Sequence, residues 1–590
     1  MGNGSKQKMT SNQKILLQRL RTFIHQEFDY QRQRLLQQWS LPLAQRVQKG
    51  YAIEGLEIKQ LKPNGILILT CQTNDSRFRE GDFLVLHRGN QQGLEAIQCV
   101  MEYDGITTLE VTITDGNPYF LKEFPNGWIA DESLLDLSGM FLEALDRVGD
   151  TLRGREFILP LLNGELSPSI DYAKYERAWE ATNAADLNES QCEAVAQSYA
   201  TDLVHLIQGP PGTGKTFVLA HLVRMLVEDG HRVLITGLTH RAINNALNKI
   251  YRLDSELPVC KIGQDNAAKD LLPPNHENFA STDFAESSSG YAIGATPFAT
   301  QTQRLANIEF DVVIFDEASQ ITLPLAIMGM LAGNRYIFIG DDRQLPPVIS
   351  AGTSQLGRAS IFAYLNERGY ETMLDLTYRL NDVLVQWPSK NFYDGKLQPT
   401  PDAGPRRLQL DGTDPKWAFA LDPRHSMVFL DVGHRNNTIR SQKEADIIVE
   451  LVQSLLRANV SPTEIGVIVP YRAQGRAIRK LLSQVLPSRE MLSELVVDTV
   501  ERMQGQEREV VLLSMTTSNP AFAGRLAEFY FQPERLNVSI TRPRTKLIVV
   551  GSSHVLNAQP DSLESEAWIE MYGDLLAHCT TFDISEGVDY

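Results

Sequence analysis

The chain has 590 residues, 43% hydrophobic and 22% charged, a globular composition that excludes a mainly disordered or fibrous protein and leaves room for about four domains or a few larger ones. Its 56 Lys and Arg against 73 Asp and Glu give a net charge of −17, which excludes a general basic coat for nucleic acid or anionic membrane but permits a local basic groove. Five widely separated cysteines (Cys71, Cys99, Cys192, Cys260, Cys579) form no C-x-x-C pair, which argues against a zinc cluster or a disulfide framework.

The segment Met1 to Lys6 has no apolar core of a signal peptide, and Lys6 stands where a myristoylation signal needs Ser or Thr. No later run reaches ~18 consecutive apolar residues. The expectation is a soluble intracellular protein, in cytoplasm, nucleoid or nucleus. The charge is unevenly spread, with ten basic and four acidic residues among the first sixty. From Lys14 to Trp39, Leu16, Leu20, Phe23, Ile24, Phe28 and Leu35 recur at helical spacing, which predicts one long amphipathic helix. Residues 51 to 120 change to short β-rich runs separated by Pro63-Asn64-Gly65, Asp104-Gly105 and Asp115-Gly116, the pattern of a small antiparallel barrel. Helical period returns with Leu134, Leu137, Phe141, Leu145, Val148 and Leu152, with Asp131 as the expected N-cap.

From about residue 185 short apolar runs alternate with helical patterns, at 203–207, 233–238, 312–315, 336–339, 465–469, 510–514 and 547–550. Such runs suit strands buried on both faces of parallel sheets, and their two groups predict two α/β domains. Residues 275–290 and 401–425 read as surface loops.

Between the first two runs lies Gly209-Pro210-Pro211-Gly212-Thr213-Gly214-Lys215-Thr216, in the strand–loop–helix context of a P-loop. Backbone N–H groups at the helix N-terminus would wrap phosphates, Lys215 would meet the β and γ oxygens, and Thr216 would ligate Mg²⁺. Asp316 and Glu317 close the run Asp311 to Phe315, at a strand end where ligands of open α/β sheets bind. Asp316 is placed to hold Mg²⁺ through water and Glu317 to orient or deprotonate an attacking water.

In chain order there follow Gly340-Asp341-Asp342-Arg343-Gln344-Leu345-Pro346-Pro347, Leu376-Thr377-Tyr378-Arg379, Val469-Pro470-Tyr471-Arg472, Asp498-Thr499 through Gln504-Gly505-Gln506-Glu507, and Arg535 through Thr541-Arg542-Pro543-Arg544. This series, over about 185–555, resembles the ordered motifs of superfamily 1B helicases, and the Asp-Glu-Ala-x-Gln and Gln-Gly-Gln-Glu blocks resemble their up-frameshift-like branch. The resemblance implies an α/β protein of two tandem RecA-like P-loop domains, with an N-terminal helical stalk carrying a small β-barrel. The corresponding division is a stalk over 1–180 with the barrel inserted at about 51–120, a first ATPase domain over 181–372 and a second RecA-like domain over 373–590.

It also implies roles. Gln191 reads the adenine edge, Tyr378 lies beside the base, Glu507 lies near the ribose, and Gln344 senses the γ-phosphate. Arg379 and Arg542 come from the second domain and reach that phosphate only when the domains close, as arginine fingers do. One position departs: Pro543 replaces the family's alanine and removes a backbone donor. Thr239, His240 and Asn244 occupy one strand-contact motif, with His240 where Asn is commoner, and Thr296 lies in the next. Tyr471, Arg472 and Thr499 could contact a strand across the second domain, although Tyr471 suits a core position equally well.

The implied activity is an ATP- and Mg²⁺-dependent helicase or translocase on single-stranded DNA or RNA, moving 5′ to 3′, with no membrane partner. Two rivals remain open at this level: an ATP-controlled clamp that grips a strand or protein without processive unwinding, and an ATPase whose partner is protein alone. RNA and DNA are not distinguished, because a few 2′-OH contacts decide between them.

Overall fold

The computed structural model describes residues 9–586 except 64, 106, 287–288, 306, 353–358 and 413. Met1 to Lys6, Asn64 of the expected turn, and Ser287, Ser288 and Thr413 of the expected loops lie outside the described residues. No helix among the described residues is long and apolar enough to cross a membrane. All five cysteines are free and buried.

The first helix spans Ser11–Trp39 and starts with a capping box, in which Thr10 accepts from the Gln13 amide and the Gln13 side chain accepts from Thr10 N–H. Its stripe of Leu16, Leu17, Leu20, Phe23 and Ile24 packs in one core with Ala144, Leu145 and Val148 of the helix Ser138–Asp150. The two run antiparallel, because Arg21 pairs with Asp146 and Arg32 with the earlier Asp136. The same core contains Leu206, Leu234, Val313, Phe315 and Phe338, so the helical stalk itself covers one face of the first sheet.

Between the two helices the chain closes a six-stranded barrel in the order Ala52–Leu61, Ile66–Thr70, Thr108–Asp115, Ile97–Asp104, Phe83–His87 and Asn126–Glu132. The barrel therefore ends at 132 and not near 120. The last strand pairs with both the first and Phe83–His87, which removes every open edge. This corrects the expected cap as well. Asp131 is a buried strand residue that accepts from Arg46 (2.9 Å) and Gln91 (2.9 Å) and shares a 2.7 Å bond with His87. Asp136 instead serves the start of the second helix, accepting from the Ser138 amide at 3.0 Å. A carboxylate buried at the barrel wall is tolerable only with such partners, and the sequence does not display them.

The first α/β body has eight parallel strands in the order Asn275–His276, Val259–Ile262, Tyr291–Gly294, Arg232–Thr236, Phe310–Phe315, Gly333–Gly340, Val204–Gln208 and Glu371–Met373. Alternation along each strand sends Ile207, Val233, Ile235, Val312, Ile337 and Ile339 to the opposite core, shared with the helices Glu189–Ala200, Lys215–Glu228 and His240–Leu253. The second body has six parallel strands ordered Val496–Thr499, Ile465–Val469, Arg508–Ser514, Pro543–Gly551, Met427–Asp431 and Thr580–Asp583. Pro543 opens its strand, a position where the missing N–H costs the ladder nothing. The strands at 259–262, 291–294, 371–373, 427–431, 496–499 and 580–583 add to the seven expected runs. The expected loop at 275–290 contributes the short edge strand Asn275–His276, and 401–425 carries the short helix Ala418–Leu421. The whole is two tandem RecA-like domains with a barrel-bearing stalk.

Candidate nucleotide and strand clefts

The strand Val204–Gln208 is buried at all five positions and runs straight into the P-loop. Gly212 (φ 74°) and Gly214 (φ 86°) hold left-handed backbone that other residues avoid, and the helix starts at Lys215. Lys215 Nζ donates to the carbonyl of Gly209, closing the loop on itself. Gln191 buttresses it from behind: Nε2 donates to the Thr213 carbonyl (3.0 Å), while Oε1 accepts from the Asn188 amide (3.2 Å) in a capping box. The other wall comes from the segment 377–379. Thr377 Oγ1 donates to the Pro211 carbonyl (2.8 Å) and the Tyr378 amide to the Gly212 carbonyl (2.8 Å). A Cβ on Gly212 would lie 2.4 Å from Arg379 Cβ, so glycine is required there by space as well as by backbone. Tyr378 is 44% exposed beside the loop, with its hydroxyl accepting from Asn188 Nδ2 (3.0 Å).

Asp316 and Glu317 leave the central strand Phe310–Phe315 next to this loop. Burial, and then the charge of Glu317, push the Asp316 carboxyl up from its ordinary range, against the pull of Lys215. Glu317 sits at φ 52°, a left-handed conformation that is uncommon outside glycine and often marks functional sites. Hard oxygen donors at Thr216 and Asp316 suit magnesium, and a buried carboxylate beside a second carboxylate is a place where a divalent cation relieves repulsion. Among the described residues no group of three or more His, Cys, Asp or Glu gathers to hold a metal, so phosphate oxygens and water would complete such a shell.

The second sheet faces this edge with arginine. Arg379 donates to Glu507 (2.8 Å) and to the Thr541 carbonyl (3.0 Å). Arg542 is fully buried, donating to the Val538 carbonyl (2.9 Å) and, at a long 3.4 Å, to Gln344 Oε1. Burial, and then the nearby Arg379 charge, bring its guanidinium down to about 9. Arg544 donates to Glu464, Glu507 and Glu509, so Glu507 lies between two arginines. Burial pushes that carboxyl up, but Arg379 and Arg544 outweigh it and hold it below its ordinary range. Gln504 Nε2 reaches Glu317 at 3.5 Å from the second body. Gln344 is buried, its Nε2 donating to Asp341 (2.5 Å). Asp341 and Asn537 lie inside two of the helicase-like motifs, which by themselves assign them no role, and Tyr393 lies outside every motif. The three meet here through side-chain hydrogen bonds.

The residues expected to contact a strand are gathered less tightly. Thr239 caps the helix His240–Leu253, its hydroxyl accepting from the Ala242 amide (3.2 Å), and exposed His240 begins that helix. Asn244 is engaged inward, donating to the carbonyls of Ala267 and Lys269 and accepting from Lys261 (2.7 Å). Thr296 precedes the turn Pro297–Gln301. Tyr471, Arg472 and Thr499 line a separate cleft of about 1710 Å³ between the barrel and the second body. Tyr471 packs among Phe522, Phe529 and Tyr530, and Thr499 is buried. Arg472 donates to the barrel carbonyls of Arg77 (2.7 Å) and Phe78. Arg476, Arg440 and Arg502 pair with Asp104, Asp75 and Glu80 of the barrel.

Comparison with known proteins agrees with this arrangement. One AAA-domain model matches residues 186–292 and 288–351, and a second AAA-domain model matches 358–554. The DNA replication ATP-dependent helicase/nuclease DNA2 of Saccharomyces cerevisiae is 28% identical over 478 residues, 74% of this chain and 31% of that protein. The DNA2 protein of Mus musculus is 31% identical over 63% of this chain and 38% of its own length. The DNA polymerase alpha-associated DNA helicase A of Schizosaccharomyces pombe is 27% identical over 63% and 64% of the two chains. The chain thus spans about a third of the yeast helicase/nuclease it matches. Among solved structures, an arterivirus nonstructural protein 10 helicase aligns over 86% of this chain and 80% of its own at 14% identity and a TM-score of 0.37, a likeness too loose to argue from.

Proposed function

We propose, from the premise that this chain belongs to the up-frameshift-like branch of the superfamily 1 helicases, that it is an ATP-dependent helicase or translocase on single-stranded nucleic acid, moving 5′ to 3′. The observation that carries the reading is that two sheet edges meet: the P-loop and the Asp316–Glu317 pair on one, Arg379 and Arg542 on the other, with Arg542 reaching Gln344 across the cleft. In this reading Lys215 neutralises the β and γ oxygens, and Gln191 and Tyr378 hold the adenine. Glu507, near the ribose, keeps Arg379 in place. Glu317 takes the proton of the attacking water. Arg379 and Arg542 stabilise charge on the transferred phosphoryl group, which only a closed cleft permits. Magnesium, held by Thr216 and Asp316, would supply charge neutralisation of the phosphates. The working parts divide at about residues 180 and 372, and the strand runs past Thr239, His240, Asn244 and Thr296 toward Tyr471, Arg472 and Thr499.

ATP hydrolysis with matched single-stranded DNA and RNA, followed by displacement of an annealed strand, tests the proposal. Hydrolysis that no strand accelerates sinks it. Acceleration without displacement identifies the clamp instead, and the ratio of the DNA and RNA rates names the substrate.

A further inference from the structure

One side chain outside every motif above occupies the junction of the two bodies. Tyr393 follows the helix Gln386–Phe392, packs in the core of the second body, and is buried. Its hydroxyl donates to Asp341 Oδ2 (2.8 Å) and accepts from Asn537 Nδ2 (2.8 Å). Asp341 belongs to the edge of the first sheet, just past the strand Gly333–Gly340, and Asn537 to the second-body helix Pro533–Ile540. The same Oδ2 that accepts the Tyr393 hydrogen bond also accepts from Gln344 Nε2 (2.5 Å), while Oδ1 accepts from Gln208 Nε2 (2.8 Å) and the Arg343 amide (3.1 Å). The carboxylate is thus held from both sides, and it in turn fixes the amide of Gln344.

A primary amide carries two N–H donors. With one bound to Asp341 and Oε1 turned toward Arg542, the second N–H of Gln344 has a defined direction, which a phosphoryl oxygen needs from a sensor. Without the Tyr393 hydroxyl, Asp341 loses its donor from the second body. Asn537 still reaches the first body at the Arg343 carbonyl (2.8 Å), so the bodies stay joined while the carboxylate is freer to turn. Burial, and then the Asp341 charge, raise the tyrosine well above its ordinary range, so it stays a donor at working pH.

We propose that Tyr393 is a positioning residue through which the second domain orients Gln344, so that cleft closure sets the geometry of hydrolysis. This rests on the ATPase reading above. The test is Tyr393→Phe in the full chain, which keeps the ring and deletes one oxygen. Strand-stimulated kcat should fall about tenfold with KM for ATP within about twofold, the signature of an interaction that matters only in the transition state. In a Gln344→Ala background the same substitution should cost nothing further, because the tyrosine acts through that glutamine. Should Tyr393→Phe fold poorly in thermal melts, Asn537→Ala, which leaves the tyrosine in place and removes its second partner, should give a smaller kcat loss at unchanged KM. A wild-type kcat, a loss confined to KM, or an undiminished loss in the Gln344→Ala background overturns the proposal. Wild-type hydrolysis that Lys215→Ala and Glu317→Gln leave intact overturns the ATPase reading itself, so the two failures are distinguishable.

Discussion

The cleft between the two sheets and the cleft between the barrel and the second body both depend on arginine, but they use it differently. In the first, Arg379 and Arg542 are held mainly by partners of their own body, Glu507, Thr541 and Val538, with one long 3.4 Å contact from Arg542 across to Gln344, and face a carboxylate-bearing edge on the other. In the second, Arg440, Arg472, Arg476 and Arg502 cross the cleft themselves and end on barrel carbonyls and carboxylates. A guanidinium fixed at home is pre-organised for a ligand that arrives between the bodies, whereas one engaged across a cleft must give up that partner before it can bind anything else. On the proposed reading, the nucleotide site is therefore largely built in advance, and a strand would bind the second cleft at the expense of barrel contacts.

Substitutions at the first cleft should have the largest effects. Glu317→Gln should keep ATP and Mg²⁺ binding and lower turnover by about 10³-fold, since the amide cannot take the water's proton. Lys215→Ala should weaken ATP binding itself. Single-turnover hydrolysis beside equilibrium nucleotide binding separates the two, and near-normal turnover of the Gln variant would remove the base from Glu317.

Arg379→Ala comes next. If closure brings it to the γ-phosphate, nucleotide affinity should stay within about tenfold while turnover drops by about 10³-fold, with or without a strand. Strand-stimulated rates equal to wild type would make its ion pair with Glu507 the whole of its role.

At the second cleft the expected effect is smaller and of another kind. Arg472→Ala should leave strand-free hydrolysis unchanged, weaken single-strand binding by about tenfold, and flatten its salt dependence by about 0.7 in log–log slope. Unchanged affinity and slope would show that Arg472 serves only the barrel, which sharpens the contrast between the clefts. The smallest effect is on stability. Asp316→Asn removes one of two adjacent carboxylates from a buried site, so the nucleotide-free protein should gain about 1 kcal/mol in melts while losing Mg²⁺-dependent turnover. A lower melting temperature would mean that the pair is stabilising without a cation.

Much of the first cleft was legible because its chemistry is written in short contiguous strings. A buried strand, glycines that permit left-handed backbone, a lysine and a threonine at a helix start lie within fourteen residues, and local physics places them alike in any context. The barrel was legible as a change of period, but its closing strand was not, because Asn126–Glu132 is told from a loop only by the two strands it pairs with. Asp131 misled for a related reason: an aspartate before a helical pattern looks like a cap until Arg46 and His87 are seen to fold onto it. Asn244 and Arg472 match strand-contact positions in sequence, yet their hydrogen bonds here go to loop and barrel carbonyls.

By itself the sequence determined the P-loop, the carboxylate pair at a strand's end, the two groups of buried strands and the long stalk helix, since each depends on neighbours a few residues apart. Only the tertiary structure decided what every arginine faces and which hydroxyl holds Asp341. Those contacts join Tyr393 to a residue 52 positions earlier and Arg472 to one 394 positions earlier, and no local preference encodes a partner at such separation. Long side chains acquire their partners from the packing of whole domains, after the short-range rules have already chosen the elements.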